Sequence, residues 1–296
     1  MAPNSTRSLF KNPALRRRLS FSLKLLLSAT ALFFVFRKVD IQKAIQPIFQ
    51  VIPSYLIVAF LVFNLSKIAA AFRFRDYLKA LEIQINNLYS IELFYLGMFY
   101  NLFLPGSISG DGYKVYLLKQ QFSVKAKQLI GVTLLDRLSG LALLLILAGG
   151  FLLFSSFSSG LPYFDVAVVI LIVAVLPVFY LFNKLLFSQL ISAFGVTTFW
   201  SFWVQVGQVL TAALLLASIG VETYYLDYLT LFMVSSVVAV LPFTIGGVGA
   251  RELVFLYGFQ YLEIQQETAI TFTLLFFLVT ALSSLLGLFV SIKKDN

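Results

Sequence analysis

Few side chains in this chain can do polar chemistry, and several of them interrupt apolar runs. Asp136 and Arg137 stand within an apolar stretch over 128–154, Lys67 within another over 53–72, and Glu92 within a third over 88–104. Ionised groups at membrane depth cost several kcal/mol unless paired or hydrated, so these side chains are expected to face a protein interior. Adjacent helical residues point roughly 100° apart, so Asp136 and Arg137 are not expected simply to neutralise each other. Lys67 or Arg73 is the candidate partner of Asp136, and Glu92 or Asp111 that of Arg137. Two roles are open to such a set. It could be a buried salt-bridge network that holds helices in register. Alternatively, Arg137 or Lys67 could meet an anionic headgroup while a nearby acid gates or couples. Cysteine and histidine are both absent. Disulfides, thiol chemistry, histidine acid–base catalysis and the common zinc sites are thereby excluded, and no metal or cofactor site is expected.

A second set of candidates lies in two segments that read almost as copies, 137 positions apart (242 − 105). Leu104-Pro-Gly-Ser-Ile-Ser-Gly-Asp-Gly-Tyr-Lys114 aligns without a gap on Leu241-Pro-Phe-Thr-Ile-Gly-Gly-Val-Gly-Ala-Arg251. The backbone signals are Pro105, Gly106, Gly110 and Gly112 in the first copy, and Pro242, Gly246, Gly247 and Gly249 in the second. Proline removes a backbone donor and glycine opens turns closed to other residues. Such backbone is tolerated at membrane depth only where it is buried in protein or lines a wet cavity. Paired interruptions of this kind point to a binding site between two halves of a transporter-like fold. A half-helix beginning after each glycine would aim its amides at the break and favour a carboxylate or phosphate, with Lys114 and Arg251 in its first turn. Asp111 and Glu252 are the acids of the two breaks, and Asp111-Gly112 also reads as a turn signal.

The elements that must carry these residues follow from composition. The 296-residue chain is 60% hydrophobic and 12% charged, with a mean hydropathy of +0.93. That much apolar surface demands a bilayer as solvent. Full-length apolar runs occur near 19–36, 53–72, 128–154, 164–182, 199–219 and 268–292, each long enough to cross about 30 Å of hydrocarbon. Two further segments, 88–122 and 226–262, contain the breaks and are read as helical hairpins that enter and return. The fold expected is an all-α polytopic membrane protein with six full transmembrane helices and two broken re-entrant hairpins in an inverted repeat. A basic cytoplasmic arm over 1–18 precedes one membrane domain over 19–292, with halves near 19–154 and 164–292, and a tail over 293–296. With both termini inside, 15 of the 22 Lys and Arg residues fall in cytoplasmic groups that include Arg73, Arg75 and Lys79, which fits the positive-inside bias. Asn64, Asn101, Gln205 and Gln208 are expected to make interhelical hydrogen bonds. Tyr224, Tyr225 and Tyr228 are expected to form an outer aromatic belt. Nucleic acid is not an expected partner, because the basic arm flanks a membrane span.

Taken in order, the first break, then Asp136-Arg137-Leu-Ser-Gly140, then Pro242-Phe-Thr-Ile-Gly-Gly-Val-Gly-Ala-Arg-Glu252 resemble the flippase-like membrane region of lysylphosphatidylglycerol synthase and its stand-alone relatives. The resemblance covers about 15–292. It implies a lipid-handling protein of the inner or plasma membrane, and in the synthase this region is associated with moving aminoacylated phosphatidylglycerol between leaflets. The chain stops at Asn296, so the soluble transferase domain and lysyl transfer are not expected. The leading expectation is a lipid translocase that is not an enzyme. Its substrate would be an anionic phospholipid, an aminoacyl-phospholipid or a polyprenyl-phosphate-linked lipid. Lys67, Lys114, Arg137 and Arg251 would bind that lipid, and Glu92, Asp111, Asp136 and Glu252 would gate or couple. The alternatives are a scaffold for a lipid- or envelope-biosynthesis enzyme, or an intramembrane enzyme that uses Asp111 and Asp136. No Walker loop is present, and the motifs do not specify an oligomeric state.

Overall fold

The computed structural model describes residues 51–103, 108–159, 163–240, 251, 254, 255, 258 and 266–290, all within the compact unit Ile41–Asn296. Among these residues there are helices and no strands. In chain order they are α1 (Pro53–Lys79), α2 (Asn87–Phe103), α3 (Ser109–Gln121), α4 (Ala126–Phe154), α5 (Phe164–Leu186), α6 (Phe194–Ser218), α7 (Tyr225–Ala239) and α8 (Gln266–Leu285). A 3-10 segment, Ser188–Ala193, leads into α6. Five helical stretches are long and apolar enough to cross a membrane: Pro53–Lys79, Ala126–Phe154, Phe164–Leu186, Ser188–Ser218 and Glu267–Leu288. They coincide with five of the six runs read from the sequence. The sixth, 19–36, lies outside the described residues.

The helices are placed by sequence signals. Proline opens α1, where its missing N–H costs nothing. Asn86 caps α2 by accepting a hydrogen bond from the Tyr89 amide at 2.7 Å. The first break separates α2 from α3, and Asn101 spans it by accepting from the Gly110 amide at 2.9 Å. A Cβ at Gly110 would stand 1.9 Å from the carbonyl oxygen of Gly97, so only glycine allows α3 to lie this close to α2.

Helix α1 runs along α6, its most extensive neighbour. Small residues permit the approach: a Cβ on Gly207 would be 2.7 Å from the Ser66 Cβ. Gln208 donates to the Ser66 hydroxyl at 2.8 Å on the same seam. Asn64 joins three helices, donating to Ser283 at 2.9 Å and accepting from the Tyr95 hydroxyl at 2.7 Å. Gln205 donates to the Gly140 carbonyl at 2.8 Å. All four polar amides expected to bridge elements do so.

Burial orders the helices radially. The stretch Glu267–Leu288 is 67% buried in its most apolar window, whereas Phe164–Leu186, the most apolar of the five, is only 11% buried. Helix α5 is therefore a peripheral helix whose side chains replace water with lipid, and α8 is central.

One expectation is corrected. Tyr228 is not a belt residue but part of the core, and the Tyr225 hydroxyl donates to the Ala213 carbonyl; of the three tyrosines only Tyr224 is well exposed. Asp227 is buried and accepts from the amide and hydroxyl of Ser156, each at 2.9 Å. It ties the start of α7 to the end of α4.

Candidate functional site: a cationic cluster between broken and intact helices

Three helices bring the intramembrane charges together. Helix α1 contributes Lys67 and Arg73, α3 contributes Asp111 and Lys114, and α4 contributes Asp136 and Arg137. Arg73 Nε donates to Asp136 Oδ1 at 2.7 Å, and Arg73 Nη1 to the Ser201 hydroxyl at 3.1 Å. The guanidinium also packs over Gly140, where a Cβ would come within 3.1 Å of Nη1. Arg73 and Asp136 are 6% and 5% exposed, which makes this a desolvated pair. Arg73 thus leaves the group of loop cations, because α1 continues through it to Lys79.

The second pair is a triad. Asp111 Oδ1 accepts from Lys114 Nζ at 2.8 Å, and Asp111 Oδ2 from Arg137 Nε at 2.5 Å. Lys114 is fully enclosed: its stem lies against Gly97, and its ammonium sits 4.4 Å above the Phe74 ring and 5.5 Å from that of Phe94. Arg137 is more open, with 28% of its side chain accessible. The adjacent Asp136 and Arg137 thus diverge to separate partners, as their angular separation on a helix requires. Of the candidates weighed, Arg73 takes Asp136 and Asp111 takes Arg137.

Asp111 is not a turn residue, and α3 does not begin after the second glycine. The helix starts at Ser109 with Ile108 as N-cap, which puts Asp111 in the first turn and Lys114 in the second. A carboxylate in the first turn complements the helix dipole, so Asp111 itself supplies the negative charge that the amides favour.

Arg251 occupies the equivalent place in the second copy. Its guanidinium lies 5.0 Å from the Phe232 ring centroid and 4.6 Å from that of Phe276, and donates to Ser236 at 3.0 Å. Both copies therefore set their cation over two phenylalanine rings. Lys67 lies 4.4 Å over Phe63, whose ring meets Phe276 edge-on at 5.9 Å. Among the described residues Lys67 makes no ion pair. Glu92 is half-buried on α2 and likewise joins no ion pair among them. Glu252 lies outside the described residues, as do Pro105, Gly106, Pro242, Gly246, Gly247 and Gly249. Gly112 is exposed on α3, with open space where a Cβ would go.

Sequence reasoning did not single out Ser201 as a site residue, although it fixes Arg73. Its only signal is a hydroxyl at helical spacing from Gln205 and Gln208. Among the described residues no group of three or more His, Cys, Asp or Glu side chains could hold a metal ion.

No curated protein matches the chain. Residues 21–287 match a family described as the lysylphosphatidylglycerol synthase TM region, which is most of the chain. With its long apolar helices this is an integral membrane protein, and it belongs to the lysylphosphatidylglycerol synthase TM family.

Proposed function

We propose that the protein is a membrane lipid translocase of flippase type, which receives a lipid with an anionic, phosphate-bearing headgroup at the cationic cluster while the chains stay in the bilayer. Family membership supports the lipid-handling part of this reading. The observation that carries the rest is the gathering of Lys114 and the part-accessible Arg137 on Asp111. One carboxylate faces two cations, and the Arg137 side chain remains 28% accessible. Cations gathered at membrane depth beside a part-accessible guanidinium suit an anionic headgroup. Arg137 would meet the phosphate, Lys67 and Arg251 would raise the local positive potential, and Lys114 would hold Asp111 in place.

The Arg73–Asp136 pair has a different role in this reading. It is closed on all sides and serves as the anchor that sets α1 against α4 and α6. Asp111 is the acid at the working end. The headgroup chemistry is a phosphate diester or polyprenyl phosphate, and no acid–base step on the lipid is required.

Proteoliposomes that contain a fluorescent anionic phospholipid test the reading, with dithionite quenching as the measure of transfer between leaflets. Wild-type protein should make inner-leaflet probe accessible, and Arg137→Ala should slow this by about tenfold, the effect of losing one charge-assisted contact of about 1.4 kcal/mol. Transfer no faster than in empty liposomes, or equal in wild type and Arg137→Ala, would overturn it.

A further inference from the structure

Away from the central cluster, the last turns of α1 meet Ser188–Ala193 and the start of α6 around an open cavity of about 560 Å³. That volume is in the range of small-ligand sites. Its polar lining is Arg75, Asp76, Lys79 and Ser192, accompanied by Ala193 and Val196.

The cavity has a built side and a loose side. Arg75 donates from Nε and Nη2 to Asp76 Oδ1, at 3.1 and 2.8 Å, and from Nη1 to Asn87 Oδ1. Its guanidinium plane also stacks near the Phe72 ring, 5.1 Å from the centroid. The other Asp76 oxygen accepts from the Trp200 indole at 2.8 Å. Arg75 and Asp76 are therefore fixed in place by contacts from α1, α2 and α6. Lys79, in contrast, is exposed and makes no ion pair among the described residues. Two cations and one carboxylate leave the cavity with one net positive charge. A held guanidinium, a free ammonium and a hydroxyl around one surplus charge match a phosphate monoanion.

A phosphate could come from a lipid headgroup or from solution, and the surrounding aromatics favour the lipid. Trp200 packs edge-on against Phe72 and Phe199, at 5.4 and 5.5 Å. Phe199, Phe202 and Trp203, on the same part of α6, are 54%, 43% and 49% exposed. Exposed aromatic side chains beside a polar cavity on a membrane helix offer acyl chains an apolar surface, and basic pockets between membrane helices suit anionic headgroups. We propose that this cavity is a second lipid site, which holds the headgroup of a monoanionic phospholipid independently of the central cluster.

Trp200 provides the reporter, since its indole is bonded to the cavity wall and Trp203 is the chain's other tryptophan. Full-length Trp203→Phe protein in neutral detergent is titrated with short-chain phosphatidylglycerol, with phosphatidylcholine and with inorganic phosphate. Phosphatidylglycerol should produce a saturable change in Trp200 emission. Lys79→Glu should weaken its apparent affinity roughly thirtyfold, because reversing the charge removes two surface-charge increments. Lys79→Arg should restore it. Arg137→Ala should keep the Trp200 response while losing transfer in proteoliposomes, so the two sites fail separately. An equal response to phosphatidylcholine, an equal affinity in Lys79→Glu protein that remains monodisperse, or saturation by inorganic phosphate at the same concentration would each overturn the lipid assignment.

Discussion

Arg73, Lys114 and Arg137 are all cations paired with a carboxylate, yet their burial assigns them different energetic weights. Removing one partner of a desolvated pair strands the other, at about 3–5 kcal/mol. Arg73→Ala should therefore lower the thermal stability of the detergent-solubilised protein far more than Arg137→Ala. The latter leaves Asp111 still bound to Lys114 and removes a side chain that is already part-exposed, at about 1 kcal/mol. Replacing both members, as in Arg73→Met with Asp136→Leu, should recover most of the loss from Arg73→Ala, because no charge is left buried alone. Equal melting shifts for Arg73→Ala and Arg137→Ala would contradict the assignment of anchor and working residue. At this scale the sequence was informative about which residues matter and less so about their geometry. Asp136 beside Arg137 announced divergent partners, and the correct two were among those weighed. Lys114 could not be read as enclosed, because its burial depends on Gly97, Phe74 and Phe94 from two other helices.

Among the elements, the first broken hairpin is the most legible. Proline and glycine located its break, and the structure has helices ending at Phe103 and beginning at Ser109. The start of α3 was misplaced by a few residues, since Gly110 and Gly112 look like turn formers. Instead Gly110 is there for contact: its missing Cβ lets the chain pass against the Gly97 carbonyl. Gly112 has no such neighbour. Opposite outcomes are expected from the same substitution. Gly110→Ala should destabilise the hairpin by about 1–3 kcal/mol or more through overpacking. Gly112→Ala should be neutral or stabilising by up to about 1 kcal/mol, as alanine favours the helix. Thermal unfolding of both variants in one detergent distinguishes contact from backbone freedom. The tyrosines before and within α7 show the limit of composition-based reading. Their sequence resembles an interfacial belt, but Tyr228 turns inward because α7 begins at Tyr225 and packs against α4 and α6.

For the whole molecule, apolar composition dictated a bilayer solvent, and the five described spans coincide with the apolar runs to within a few residues, save the early start at Ser188 and the late end at Lys79. Which of those helices faces lipid was not legible, because a leucine-rich helix reads alike at the centre and the rim. Burial separates them, and bilayer depth can be probed directly. In a Trp200→Phe, Trp203→Phe background, Val173→Trp on α5 should be strongly quenched by brominated phospholipids. Phe272→Trp on α8 should be quenched little, since Val173 is 67% exposed and Phe272 1%. Similar quenching at the two positions would refute the radial order.

The double coordination of Asp111 also bears on energetics at the level of the whole cycle. Lys114 and Arg137 hold the Asp111 carboxylate between them. In the proposed reading an arriving phosphate would find a seat with a resident anion, so loading would be an exchange of one acid ligand for another rather than the filling of a bare positive hole. The two end states then differ little in electrostatic energy, and neither exposes a naked charge to hydrocarbon. If the protein translocates lipid as proposed, such near-degenerate states would suit reversible traffic between leaflets.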